Sequence, residues 1–273
     1  MPERGGALLV VDYPGRRDEA RVHDLGLELD GWEIRYLIAP PLVRELRCPD
    51  YAIQLIDRFG LRQLEVRALL AYCTGAPIAQ EIAASLGPPA QPIPLLFFDG
   101  APALPAKIAN DFRVAAQQLG GGPRSEIPPL DPETFTAGAL CARPAECFER
   151  MKRHLSDLAA GALRADGAGD EEAAAAAADI TAVYLDWLAY LVAGHNTSWP
   201  RWNGEVLHLA SQRHRFTDAW PGSARTRLFR IEASAGDLLR HPQTRVLTLS
   251  FLNDAQHESR GTACVSAREE VVS

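Results

Sequence analysis

The sequence predicts an α/β fold with a mostly parallel β-sheet, and two observations lead to that prediction. Short apolar runs recur along the chain, and segments with apolar residues every three or four positions lie between them. This alternation is typical of buried strands whose sheet is covered by helices. Six strands are predicted, at residues 7–13, 34–39, 65–72, 93–99, 205–211 and 226–233.

Two helices are predicted between these strands, over residues 51–59 and 77–86. Pro77 suits the first turn of the second helix, because its missing N–H would have had no intrahelical partner there. Residues 106–200 break the alternation with two long helical patterns, over 144–165 and 170–194. We therefore expect a core formed by residues 1–105 and 201–273. The insertion, residues 106–200, is expected to be a helical lid, or else a helical excursion that completes the core.

Composition excludes several classes of protein. The chain has 273 residues, a hydrophobic fraction of 47%, a charged fraction of 23% and a net charge of −7, which is typical of a globular protein and argues against a nucleic-acid partner. The N-terminus lacks a signal-peptide pattern. Because Asp179 and Asp186 interrupt the Ala-rich stretch, no membrane span is expected.

The cysteines indicate a reducing location. Five cysteines are widely spaced and form no CxxC pair, so neither a disulfide framework nor a zinc site is expected. HxxxH and HExxH patterns are absent as well. We expect a cytoplasmic protein that needs no metal or other cofactor.

The stretch Ala71-Tyr72-Cys73-Thr74-Gly75 lies between a predicted strand and a predicted helix. In a nucleophile elbow the reactive residue occupies a strained turn between strand and helix, and small residues are needed two positions before and after it. Ala71 and Gly75 satisfy that pattern around Cys73. A buried packing cysteine is the alternative, since free cysteines are often buried.

An acidic residue follows the next strand. Asp99 stands at the carboxyl end of residues 93–99, and functional groups gather at the carboxyl edges of parallel strands. Cys73 and Asp99 are therefore expected at one edge of the sheet. A turn-capping role beside Gly100 is the alternative for Asp99.

These residues carry a resemblance. The run AYCTGAPIAQEIA, followed by LLFFDGAP, resembles the thioesterase branch of the α/β-hydrolases that serve polyketide and nonribosomal-peptide assembly lines. That branch places its acid directly after the strand that follows the elbow helix, where Asp99 stands. A cysteine nucleophile in a chain of this size resembles the stand-alone Dieckmann cyclases, which use a Cys–Asp–His triad to release tetramates and pyridones from carrier proteins.

The resemblance implies a histidine in the loop after the last main strand, but the expected positions hold Ala235 and Leu238. His241 follows shortly and is the first candidate for the base. His257 is the second candidate and His214 the third. Asp218 is the reserve candidate for the acid.

The expected chemistry is acyl transfer. His241 would take the thiol proton, and Asp99 would orient the imidazolium. The backbone N–H of Thr74 would bind the oxyanion, with a second N–H from Tyr13 or Gly15.

The expected substrate is a β-ketoacyl-aminoacyl chain on the phosphopantetheine arm of an acyl or peptidyl carrier protein, and C–C bond formation would release a tetramate-type ring. A cysteine thioester favours carbon and nitrogen nucleophiles over water, which inclines the prediction towards cyclisation. The alternatives are a hydrolytic thioesterase and a non-catalytic binding protein of the same fold, which the missing histidine would favour.

Overall fold

The computed structural model describes residues 6–15, 20–87, 92–120, 128–216 and 219–254. Within them the chain forms one six-stranded sheet with the order β2-β1-β3-β4-β5-β6, and every neighbouring pair is parallel. The strands are β1 (Ala7–Val11), β2 (Glu33–Tyr36), β3 (Val66–Tyr72), β4 (Leu95–Phe98), β5 (Glu205–Ala210) and β6 (Arg225–Arg230). The predicted α/β fold with a mostly parallel sheet is confirmed.

The centre of the sheet is buried because its strands are almost continuously apolar, as strands covered on both faces must be. β1 and β4 are buried at every position, and β3 is buried from Ala68 onward. The register places Tyr72 beside Phe98, and Phe98 beside Leu209. The carboxyl ends of β3, β4 and β5 therefore meet at one edge.

The chain divides into two compact units. The first comprises the described residues within 1–38, 59–101 and 199–273 and contains the whole sheet. Helix α2 (Gly75–Leu86) packs on β1, β3 and β4, and its first nine residues are all buried. Residues 242–254 are also helical, which the sequence patterns did not predict.

The second unit comprises the described residues within 39–58 and 102–198 and is helical. Its core consists of apolar residues from α3 to α6, with Met151, Leu155 and Leu188 fully enclosed. The patterns at 144–165 and 170–194 did become helices, whereas two shorter helices between 105 and 142 were missed. The helices are α1 (Cys48–Arg58), α3 (Pro105–Leu119), α4 (Ala137–Ala142), α5 (Pro144–Ala165) and α6 (Asp170–His195).

Helix α6 passes the length and composition test for a membrane span, although the sequence led us to expect none. By length and composition it is apolar enough to cross a membrane, despite Asp179 and Asp186. Nearly half of its most apolar window is buried, and its buried residues belong to the core of the second unit. A core helix of a globular protein has these same properties.

Candidate active site

Cys73 occupies a strained turn between β3 and α2. Its φ is 51°, in the left-handed region that non-glycine residues rarely adopt. Its carbonyl oxygen accepts the N–H of Ala76 at 3.1 Å and the N–H of Ala101 at 3.2 Å. Such a backbone costs about 1–3 kcal/mol and persists where its surroundings impose it. This is the strand–turn–helix geometry expected of a nucleophile elbow.

Gly100 lets the loop after β4 approach the elbow. A Cβ atom at Gly100 would lie 3.0 Å from the Cβ of Ala76 and 2.9 Å from the Cβ of Phe97. The distance to Phe97 is shorter than real Cβ contacts and the distance to Ala76 is very tight, so a side chain at this position would force its neighbours to shift. The neighbouring N–H of Ala101 can therefore reach the carbonyl of Cys73.

Asp99 lies at the predicted sheet edge and is 5% exposed. Its φ of 47° is also left-handed, a conformation that Asp tolerates better than most residues. Its N–H donates to Leu209 across the sheet at 3.0 Å. Its carboxylate atom Oδ1 accepts the backbone N–H of Ser211 at 2.6 Å. The carboxylate is thus fixed at the end of β5, where a charge-assisted hydrogen bond holds it.

His214 is the histidine that the structure brings to Asp99. Nδ1 of His214 lies 3.4 Å from Oδ1 of Asp99, and both side chains are largely buried. On the other side of the ring, Nε2 lies 3.2 Å from the carbonyl oxygen of Gly100. The ring is thus oriented between a carboxylate on its Nδ1 side and a carbonyl on its Nε2 side.

Arg230, at the end of β6, holds the loop that carries His214. Its Nη1 donates to the carbonyl oxygens of Ser211, Gln212 and His214 at 2.9, 3.0 and 3.2 Å. The loop also closes on itself, because the N–H of His214 donates to Ser211 at 3.1 Å. These bonds fix the loop backbone beside Asp99.

A second histidine lies beneath the first. His208, on β5, is fully buried, and its ring centroid is 5.3 Å from that of His214 in a T-shaped arrangement. Trp220 packs against it as well, at 5.9 Å. Burial, and next the charges of His214 and Arg230, lower the pKa of His208 to about 3. His208 is therefore a neutral ring against which His214 packs.

Asp99 and His214 line a cavity of about 570 Å³. The loop after β5 forms one side of it and the loop after β6 the other. The second loop is where the thioesterase resemblance implied a histidine, and it contributes only small side chains. The lining residues are Asp99, Ser211, Gln212, Arg213, His214, Arg215, Ala233, Ser234 and Ala235.

The structure places His241 in a different role. Its N–H donates to Leu238, and its ring atom Nδ1 accepts the N–H of Gln243 at 3.3 Å, at the start of the helix 242–254. Such a contact satisfies an N–H of the first helical turn. The structure thus brings His214, the third candidate from the sequence, to Asp99, and the identity of the base stays a prediction. His257 and Asp218 lie outside the described residues.

Thr74 and Tyr13 are the two residues expected to bind an oxyanion. Thr74 is the N-cap of α2, where the first N–H groups of a helix have no intrahelical acceptor. Its hydroxyl also lies 3.8 Å from the sulfur of Cys73. Tyr13 is buried two residues beyond β1. Its role as the second donor stays a prediction.

Metal binding finds no support in the part of the chain that the structure describes. No group of three or more His, Cys, Asp or Glu side chains there is placed to hold an ion.

Comparison with solved structures identifies the fold. A candidate epoxide hydrolase from Pseudomonas aeruginosa is 16% identical and superposes with a TM-score of 0.53, over 93% of this chain and 91% of that one. Its T131D variant gives the same values. The Vlm2 thioesterase domain, solved with a dodecadepsipeptide, is 15% identical over 92% of this chain and 96% of that one, with a TM-score of 0.49.

The protein thus has the α/β-hydrolase fold. Identities of 15–16% show the fold alone, and a TM-score of 0.49 adds nothing to that. No protein-family profile matches the chain, and no curated protein matches its sequence. The comparisons therefore identify the fold and leave the reaction to the residues of the site.

Proposed function

We propose that this protein is an acyl-transfer enzyme in which Cys73 accepts an acyl chain from a carrier-bound thioester. The supporting observation is the strained elbow at Cys73, with the Asp99–His214 pair on the adjacent strand ends. The two are linked through the backbone, because Ala101 donates to Cys73 while Gly100 faces His214. Nucleophile, base and orienting acid are the groups that such a transfer needs.

In the first step His214 takes the thiol proton of Cys73, for which Nε2 has to turn from the Gly100 carbonyl to the sulfur. The thiolate attacks the thioester carbonyl and forms a new C–S bond. The N–H groups of Thr74 and of Tyr13 or Gly15 would stabilise the oxyanion. The pantetheine C–S bond then breaks, and His214 returns the proton to the leaving thiolate. Asp99 stabilises the imidazolium between these events.

The second step would be a Dieckmann cyclisation. His214 removes a proton from the activated methylene of a β-ketoacyl-aminoacyl chain, and the resulting carbanion attacks the Cys73 thioester. A C–C bond forms, the C–S bond breaks, and a tetramate-type ring leaves while Cys73 regains its proton. Because a cysteine thioester, compared with an oxygen ester, favours carbon nucleophiles relative to water, the choice of Cys over Ser supports cyclisation.

The cavity supports a carrier protein as partner. Arg213 and Arg215 are exposed and line it together with His214. Guanidinium groups bind phosphate oxygens well, and the phosphopantetheine arm carries a phosphate. The arm would enter on this side, with its thioester directed towards Cys73.

The test uses a synthetic β-ketoacyl-aminoacyl thioester of N-acetylcysteamine and the full chain. Cys73→Ala should abolish both the acyl-enzyme seen by intact mass and the release of product. Cys73→Ser should retain little activity, because a hydroxyl needs stronger activation than a thiol. Cys141→Ala is the matched control, since Cys141 belongs to the second unit, and it should keep full activity.

The product separates the alternatives. A ring product lighter than the free acid by one water supports cyclisation, whereas the free acid alone would make the enzyme a hydrolytic thioesterase. Normal turnover by Cys73→Ala would overturn the proposal. The absence of any acyl-enzyme in the unchanged protein would favour a non-catalytic binding protein.

A further inference from the structure

The second unit contains another cysteine–histidine pair. Cys141 lies on α4 and is exposed, and its sulfur is 3.7 Å from Nε2 of His195 at the end of α6. Nδ1 of the same ring lies 2.8 Å from the carbonyl oxygen of Ala103. A carbonyl can only accept, so Nδ1 carries the proton in the neutral ring. Nε2 is then an unprotonated nitrogen that faces the thiol.

The backbone around the pair is held in place. Asn196, the residue after His195, donates through Nδ2 to the carbonyl oxygens of Leu140 and Leu46 at 3.1 and 2.9 Å. Leu140 precedes Cys141 and is fully buried. The carbonyl oxygen of Asn196 also accepts the N–H of Cys48 at 3.2 Å. The end of α6 is therefore tied to α4 directly beside the pair.

His195 lies in the last turn of a 26-residue helix, where its ring is directed at the thiol. An imidazolium there would keep its bond to Ala103 and direct its second N–H at the sulfur. Thiolates next to a cationic histidine are the reactive form of cysteine.

We propose that Cys141 is a second reactive thiol, activated by His195, and a modification site for soft carbon electrophiles. With iodoacetamide, Nε2 of His195 accepts the thiol proton while the sulfur bonds to the methylene carbon. The C–I bond breaks and iodide leaves. The Cys141–His195 pair shares no residue with the function proposed for Cys73.

The test is alkylation of the full chain by limiting iodoacetamide at pH 7, with the rate at each cysteine read by peptide mass spectrometry. Cys141 should react several-fold faster than N-acetylcysteine under the same conditions. His195→Gln should slow alkylation of Cys141 by about tenfold, while His23→Gln, a change at an exposed histidine, should leave it unchanged. Cys147 is an internal reference, because burial raises the pKa of its thiol.

Cys48 reports whether His195→Gln disturbs the fold, since it is fully buried and bonded to Asn196. If Cys48 becomes reactive in that variant, the variant is not folded as the unchanged protein is. The proposal is then tested by the rate at Cys141 in the unchanged protein, compared with that of N-acetylcysteine. Equal or slower reaction of Cys141 than of N-acetylcysteine overturns the proposal. An unchanged rate in a folded His195→Gln variant overturns it as well. Neither result bears on Cys73, whose labelling is read on a separate peptide.

Discussion

The two histidines that we propose act on a thiol differ in what holds the imidazole. At the elbow, His214 lies between the carboxylate of Asp99 and the carbonyl of Gly100. In the second unit, His195 lies between the carbonyl of Ala103 and the thiol of Cys141. One ring is oriented by a full negative charge and the other by a neutral dipole.

This difference decides whether a cysteine is only made reactive or can also catalyse repeated turnover. A nearby imidazole is enough to make a thiol nucleophilic. Turnover also requires an imidazolium that survives long enough to return its proton, and donors for the oxyanion. The elbow has a buried carboxylate and the N-cap amide of Thr74 for those tasks. Among the described residues, the thiol of Cys141 contacts the ring of His195, and that ring contacts the carbonyl of Ala103. We expect modification there and turnover at Cys73.

Removing His214 is expected to have the largest effect on activity, and it tests whether this histidine is the base. His214→Gln should lower kcat for product release by about 10³-fold, because general acid–base catalysis contributes about 10²–10⁴-fold. His241→Gln is the matched control and should change kcat less than about twofold, since His241 stands at a helix start. Steady-state kinetics on the synthetic thioester measure both. A large loss in His241→Gln with full activity in His214→Gln would restore the first expectation from the sequence.

The elbow was predictable from sequence because its signals are local. Ala71 and Gly75 flank Cys73 at the required spacing, and an apolar strand and a helix adjoin them. The central strands were predictable for the same reason, since β1, β3 and β4 are short apolar runs. The position of Asp99 near Cys73 was predictable as well, because parallel pairing places the ends of β3 and β4 side by side.

The pairing of His214 with Asp99 was not predictable, because the position of His214 depends on contacts between residues that are distant in sequence. The N–H of Ser211 donates to Asp99, which is 112 positions earlier in the sequence. Arg230, on the neighbouring strand β6, donates to the carbonyl of His214. The pattern of residues 211–216 shows neither contact. The expectation for His241 came instead from the loop in which the thioesterase resemblance implied a base, and here that loop contributes Ala233, Ser234 and Ala235 to the cavity.

His208, the neutral ring that packs beneath His214, makes the free energy of unfolding depend on pH. The pKa of His208 is lowered from 6.5 to about 3 in the fold, so between these pH values the unfolded chain binds a proton that the folded chain does not. Stability is therefore lost as pH falls. From pH 7 to pH 5 the loss due to His208 is about 2 kcal/mol, roughly a 30-fold change in the unfolding constant.

His208→Phe should remove that contribution. Phe suits the surrounding rings of Phe97 and Trp220, and it eliminates two buried ring nitrogens that have no hydrogen-bond partner in the described part of the chain. Urea unfolding at both pH values measures the difference. The unchanged protein should lose about 2 kcal/mol more than the variant on acidification. Equal losses would show that His208 is already neutral in the unfolded chain or charged in the fold.

The smallest expected effect tests whether the His214 loop is positioned by Arg230. Arg230→Gln removes the donor shared by three loop carbonyls and should lower kcat by about tenfold with little change in KM, because misplaced catalytic groups lose rate rather than binding. Arg230→Lys, which keeps a donor, should recover part of the loss. Arg225→Gln on the same strand is the control, since Arg225 pairs with Glu205 instead. If Arg230→Gln raised KM and left kcat intact, Arg230 would act on substrate binding, and the orientation of His214 would rest on Asp99 and Ser211 alone.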